Sequence, residues 1–289
     1  MNRCNLRCSF CPPDSRPAAA MTPAQFGSLL RQIKPHTRYL YLHIKGEPLM
    51  HPQLDELLAL AAQEEMLVHL TTNGLLLPQR TELLVSAPAL RQTNISLHSY
   101  TPETHGPLEP WVDSLCDYAR RQAQNAHFTV FRFWTLGDDR QPTGWDAQTL
   151  ALLDKQFPDA GGISYFKRSN ERSIALEKGI FISLDRQFDW PGLQMPNHGA
   201  VGSCHGGRSM AGILADGTVV PCCLDGDGVC ALGNAFTTPL DDILASPRYT
   251  ALCEGFQKRR IVEPLCQHCG YRLRFSKEHE LTLPQDMTK

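Results

Sequence analysis

Tyr39-Leu-Tyr-Leu-His-Ile-Lys-Gly-Glu-Pro48 sets the pattern from which the fold is read. Its first six residues are aromatic and aliphatic enough to predict a strand, and Lys45-Gly-Glu-Pro48 predicts a turn. Leu54, Leu57, Leu58 and Ala61 then recur at i, i+3, i+4 and i+7, one apolar face of a helix. Val68-His-Leu-Thr71 predicts the next strand, closed by Asn73-Gly74. Further out come a helix near Arg80 to Ser86, a strand at Thr93 to His98 and a helix from about Trp111 to Gln124. They are followed by a strand at Phe128 to Trp134, a helix at Ala147 to Phe157 and a short strand at Gly162 to Phe166. Upstream, Thr22-Pro23 reads as an N-cap and first-turn proline opening a helix to about Lys34.

Strand and helix thus alternate about five times, the pattern of parallel βαβ units with helices outside a sheet. Right-handed crossovers curl such a sheet into a full or partial barrel. Chemistry then belongs at the C-terminal ends of the strands. The turns Lys45–Pro48, Thr72–Gly74 and His98–Ser99 fall there. From Lys167 the rhythm stops. Arg168 to Leu176 is polar, Gly179-Ile-Phe-Ile-Ser183 reads as an isolated strand, and Trp190 to Gly202 as loop. A smaller unit begins at Cys204. Asp216-Gly217 predicts a hairpin joining Met210–Leu214 to Val219–Cys222, and short helices are expected at Pro239–Leu244 and Tyr249–Gln257.

The balance of 28 basic and 30 acidic residues among 289 gives no electrostatic argument for nucleic acid. No run approaches the roughly 18 apolar residues of a membrane helix, and the first residues do not read as a signal peptide. The expected location is the cytoplasm, with no membrane partner. There, eleven cysteines read as metal ligands rather than disulfides.

The cysteines fall in two blocks. Cys4-x3-Cys8-x2-Cys11 offers three thiolates, one fewer than tetrahedral zinc or an ordinary iron–sulfur cluster takes from protein, so a bound cluster keeps a position open. Cys204, Cys222 and the pair Cys266-x2-Cys269 offer four, enough to close a metal centre for electron transfer or structure. Zinc and iron both fit that second spacing. Cys116 sits on an amphipathic helix and reads as a buried small hydrophobe. Cys223, Cys230 and Cys253 have no assigned role. His43, His98 and His268 read as satisfied or exposed side chains rather than ligands.

Taken together, these residues resemble the radical S-adenosylmethionine (radical SAM) enzymes. The loop at Cys4, Cys8 and Cys11, with Phe10 before its last cysteine, resembles the family's signature loop. Gly46-Glu-Pro-Leu-Met-His-Pro52 resembles its glycine–glutamate turn, with Lys45 in place of the first of two glycines. Thr71-Thr-Asn-Gly74 resembles the third-strand end, and Ser96 and His98 fall where the fourth strand meets the nucleoside. Cys204-x12-Gly217-x4-Cys222, Leu232-Gly-Asn234 and Cys266-x2-Cys269 resemble the auxiliary iron–sulfur extension called SPASM in its short "twitch" form. No cysteine follows Cys269, so the resemblance implies one auxiliary cluster.

The resemblance implies an α/β fold: a partial (β/α)6-type TIM barrel, lacking its first strand because the sequence starts three residues before Cys4, plus a small C-terminal hairpin and helix domain. The expected divisions are a core at 1–166, a connector at 167–203, an auxiliary domain at 204–275 and a tail at 276–289. The implied cofactors are S-adenosyl-L-methionine and two 4Fe–4S clusters. Cys4, Cys8 and Cys11 would hold one cluster, and Cys204, Cys222, Cys266 and Cys269 the other. Gly46 and Glu47 would receive the methionine ammonium, Phe10 the adenine, Ser96 the ribose and Arg132 the carboxylate. The implied activity is reductive cleavage of S-adenosylmethionine to a 5′-deoxyadenosyl radical that abstracts hydrogen, in an oxidoreductase or maturase. Implied partners are a small-molecule or peptide/protein substrate and a low-potential donor such as flavodoxin or ferredoxin. The competing class is a non-catalytic zinc or iron–sulfur module for binding or electron transfer.

Overall fold

In the computed structural model, which describes residues 1–137, 141–160 and 173–275, the alternating pattern becomes one six-stranded sheet. Helix α1 (Pro23–Ile33) opens with Thr22 and Gln25 in a reciprocal capping box, with Pro23 as its first residue. Strand β1 (Tyr39–Leu42) precedes a 3-10 turn at Pro48–Met50 and α2 (Leu54–Gln63). The strand stops short of the expected Ile44 because that residue takes φ +65°, which ends an extended run. Then follow β2 (Leu67–Thr72), α3 (Leu77–Val85), β3 (Leu90–Ser96), α4 (Pro102–His105), α5 (Leu108–Gln124), β4 (Phe128–Leu136) and α6 (Gly144–Gln156). Strands β5 (Ser173–Glu177) and β6 (Ile180–Arg186) complete the sheet in the order β1-β2-β3-β4-β6-β5.

β1 to β4 and β6 run parallel, and β5 pairs antiparallel with β6. This corrects two expectations. Gly179 to Ser183 is not an isolated strand: β6 lies beside β4 in the main sheet. The polar stretch expected to begin a connector contributes the edge strand β5. Alternate residues of β5 are exposed, so an edge position accepts the polar side chains that make the segment read as loop. The expected strand at 162–166 and the tail at 276–289 lie outside the described residues.

Side chains alternate across the sheet with period two. Val68, Leu70, Ile95, Phe131, Phe133 and Ile182 point into the apolar core beneath the helices. The other face is more polar and ranges from exposed Tyr41 to buried Asn94. Tyr41 pairs with His69, Thr71 with Asn94, and Ser96 with Arg132, which pairs in turn with Ser183.

The chain divides into two units. The first is built from Met1, residues 3–10 and the described part of 21–187, and the second from Asn2, residues 11–20 and the described residues from Phe188 on. The second holds a small antiparallel sheet of β7 (Gly212–Ile213), β8 (Thr218–Val220) and β9 (Gly233–Asn234), then α7 (Leu240–Leu244), α8 (Pro247–Gln257) and α9 (Pro264–Gln267). The expected hairpin is present, and Gly217 turns it at φ +87°. A Cβ there would stand 2.6 Å from both Asn234 Oδ1 and Phe236 Cδ2. Gly217→Ala therefore carries both the left-handed backbone penalty and a clash, together about 2–4 kcal/mol. The expected result is a lower unfolding midpoint in urea and weaker retention of iron by the second cysteine block.

Candidate functional site

The turn after β1 is built around a buried carboxylate. Gly46 sits at φ +82°, a conformation that favours glycine. Glu47 is only 2% exposed. Its Oε1 accepts from Leu49 N at 3.0 Å and Thr72 Oγ1 at 2.8 Å, and its Oε2 from Asn73 N at 2.8 Å. Burial pushes the Glu47 carboxyl above the usual range against the pull of those donors. One carboxylate thus ties the end of β2 to the turn after β1. The Glu47 N–H donates to Arg3 O at 2.8 Å, which brings the cysteine loop to the same place.

Cys4 and Cys8 belong to the first unit, and Cys11 opens the segment 11–20 counted with the second. Cys4 and Cys11 are exposed and Cys8 is half-buried. Burial of the Cys4 sulfur raises its thiol above the usual range, and the nearby Glu47 adds to this. A cationic metal centre reverses that preference by binding the thiolate. Segment 11–20 is pinned within its own unit. Ser15 donates to Asp227 Oδ1 through N and Oγ, at 3.4 and 3.1 Å, and Arg16 pairs with Asp216.

The other expected cofactor residues lie around the end of β3 and the middle of β4. The Phe10 ring lies 5.0 Å from the His98 ring. His98 Nδ1 is 3.0 Å from Arg132 O, and Ser96 neighbours Arg132 across the strands. The Arg132 guanidinium stacks 4.2 Å over Trp134, whose Nε1 donates to Ser183 Oγ at 3.2 Å. Burial holds the His98 imidazole down at about 4, and the Arg132 charge pushes the same way. A histidine near 6.5 in the unfolded chain then takes up its proton before the folded one does. Its contribution to stability is full above about pH 6.5 and is lost as pH falls towards 4. His98→Gln is expected to flatten that part of the stability profile, measured as urea midpoint against pH.

In the second unit Cys204, Cys222, Cys266 and Cys269 share one electrostatic neighbourhood. Burial and the neighbouring Cys223, Cys204 and Cys269 raise Cys222. Cys266 is raised by a hydrogen bond with Cys230, by burial, and by Cys222 and Cys204. Burial and Cys204 raise Cys269. Thiols crowded so that each resists ionising beside the others fit a polycationic metal centre, which stabilises all of them as thiolates. Among the described residues, no three His, Cys, Asp or Glu side chains are spaced to hold a single ion.

Cys230 was not assigned from sequence, where no spacing marks it. It is 1% exposed and hydrogen-bonds with both Cys266 and the Glu263 carboxylate. Arg248 grips Glu263 through Nε and Nη2 at 2.8 Å each, which holds that carboxyl below the usual range. Cys253 Sγ donates to Gly207 O at 3.2 Å, and Cys116 is fully buried in the first core. His268 Nδ1 bonds Met195 O, and His43 stands edge-on to Tyr41.

Residues 1–123 match the radical SAM superfamily, and residues 204–270 match the iron–sulfur cluster-binding domain SPASM. The chain therefore carries a radical SAM domain at residues 1–123 and a SPASM iron–sulfur cluster-binding domain at 204–270. These two domains imply S-adenosylmethionine and two 4Fe–4S clusters, one SAM-binding and one auxiliary. Among curated proteins, GTP 3′,8-cyclase of Microcystis aeruginosa (strain NIES-843 / IAM M-2473) is 34% identical over 115 residues, 36% of this chain and 34% of that protein. GTP 3′,8-cyclase of Aquifex aeolicus (strain VF5) is 30% identical over 115 residues, 37% of this chain and 36% of that protein. The chain matches about a third of the length of these relatives.

Two solved structures share the fold. BtrN in complex with AdoMet and 2-DOIA aligns over 93% of this chain and 89% of its own, with a TM-score of 0.57 and 16% identity. Streptococcus suis SuiB bound to precursor peptide SuiA aligns over 92% and 68%, with a TM-score of 0.54 and 15% identity. No helix of the described residues is long and apolar enough to cross a membrane.

Proposed function

We propose that this protein is a radical SAM oxidoreductase or maturase acting on a small molecule or a peptide/protein side chain, with one auxiliary 4Fe–4S cluster. The observation that carries the reading is the meeting of the Gly46–Glu47 turn with the cysteine loop through the Glu47 N–H bond to Arg3 O. Bound S-adenosylmethionine and its reduced cluster supply hydrogen-atom abstraction from substrate carbon.

The chain's own residues bind, orient and shield. Cys4, Cys8 and Cys11 would hold the first cluster, one ligand short of the four that an ordinary cluster takes from protein. The Gly46–Glu47 turn takes the methionine ammonium through backbone oxygens and the acceptor capacity Glu47 retains beyond its three protein bonds. Arg132 pairs the carboxylate, Ser96 the ribose and Phe10 the adenine. Cys204, Cys222, Cys266 and Cys269 would hold the auxiliary cluster, which would supply electron transfer there. A low-potential flavodoxin or ferredoxin supplies the reducing electron.

A second reading is radical rearrangement of a nucleotide, favoured by the name shared by the curated relatives. Anaerobic reconstitution, reduction and addition of S-adenosylmethionine test the class. About eight irons per chain and release of 5′-deoxyadenosine support it. Zinc with no 5′-deoxyadenosine would leave a non-catalytic module. Conversion of GTP in the same assay would select the second reading.

A further inference from the structure

Asn73 belongs to a turn that the reaction as proposed does not use. It is 8% exposed, and its backbone and side chain are engaged throughout. Its N–H donates to Glu47 Oε2 at 2.8 Å, and its carbonyl accepts from Ser99 Oγ at 3.2 Å. Its side-chain oxygen accepts from Leu75 N at 3.0 Å, closing the turn after β2. What remains is the amide nitrogen, with two hydrogens. It donates to Asn5 Oδ1 at 2.8 Å and faces Cys4 Sγ at 3.8 Å. Leu6 N approaches the same sulfur at 3.4 Å. The Cys4 sulfur therefore stands before two N–H groups, one of them delivered from the turn after β2 by the buried Asn73 side chain, whose amide also donates to Asn5 Oδ1.

We propose that Asn73 is a positioning residue for the cluster on the Cys4 loop: its amide fixes the loop through Asn5 and raises the reduction potential of the cluster by donating to the Cys4 thiolate. The inference rests on the reading of Cys4 as a cluster ligand. The physical basis is simple. Adding an electron to a cluster makes its thiolate sulfurs more negative, so an N–H directed at one of them stabilises the reduced form more than the oxidised form. Removing the donor shifts the couple towards the oxidised form.

Asn73→Asp is the informative change. It keeps the backbone bonds to Glu47 and Ser99, and it keeps the oxygen that accepts from Leu75 N. It replaces the N–H facing sulfur with an oxygen. Asn5 Nδ2, buried and without a hydrogen-bond partner, becomes available to the new carboxylate by rotation of its amide.

The experiment is a redox titration of the reconstituted full chain, following the two clusters separately by electron paramagnetic resonance. The expected result for Asn73→Asp is unchanged iron content and an about tenfold shift of the loop cluster towards the oxidised form at a given potential. That corresponds to about 59 mV downward for a one-electron couple. The auxiliary couple stays in place and serves as the internal reference. Asn73→Ser, whose hydroxyl is too short to reach Cys4, is expected to move the couple in the same direction, and it decides the matter if the aspartate variant does not retain its cluster. An unmoved loop couple in a variant with full iron overturns the proposal. Full iron in Cys4→Ala instead overturns the ligand assignment beneath it, and that outcome is read without reference to Asn73.

Discussion

Cys8→Ala is expected to abolish 5′-deoxyadenosine release and to remove about four of about eight irons, leaving the auxiliary centre loaded. The size of the effect follows from ligand number. A cluster held by three cysteines has no spare protein ligand, so losing one leaves two, too few to retain it. The second block sits at residues 204–269 and offers four thiols of its own, so its iron is expected to stay when the loop's is lost. Iron counting together with product analysis checks this. Loss of all eight irons would mean that the two blocks load together, and unchanged iron would remove Cys8 from the ligand set.

Glu47→Ala is expected to destabilise the protein by about 3–6 kcal/mol, because it strands donors that now share one buried carboxylate. The donors are Leu49 N, Thr72 Oγ1 and Asn73 N, at 2.8–3.0 Å. Glu47→Gln is expected to recover only part of the loss. Its amide oxygen keeps two of the bonds, but its NH2 then faces the Asn73 N–H, donor against donor. Urea unfolding measures the effect, and binding of S-adenosylmethionine to the folded fraction measures the consequence for the site. If Glu47 served only as a ligand contact, stability would hold while binding fell. Both are expected to fall, since the same carboxylate sets the turn that carries Asn73 towards Cys4.

Much of the fold is legible in the chain. The helical face at Leu54, Leu57, Leu58 and Ala61 is buried as its period requires. The Asp216-Gly217 turn is a hairpin because only a residue free of Cβ fits between Asn234 and Phe236. Elements that escape sequence reading are those whose stability comes from neighbours. β9 has two residues and forms because β8 offers it an edge. β5 is half-exposed and so carries no apolar signature. In the site, the type and spacing of the cysteines announce their chemistry, because metal binding selects residue type and close spacing directly. Cys230 carries no such signal. It becomes notable only when folding brings it against Cys266 and Glu263.

By itself, the sequence determined the chemistry available and the rhythm of the fold: three thiols in one loop, four in another unit, and strands alternating with helices. Those properties are local, set by periodicity and by ligand spacing along a few turns of chain. Only the tertiary structure decided that β6 lies beside β4, and that Asn73, 69 residues from Cys4, turns its amide towards that sulfur. Such contacts are chosen by which buried donors must find acceptors once the sheet has closed its core, and no local pattern in the chain encodes that choice.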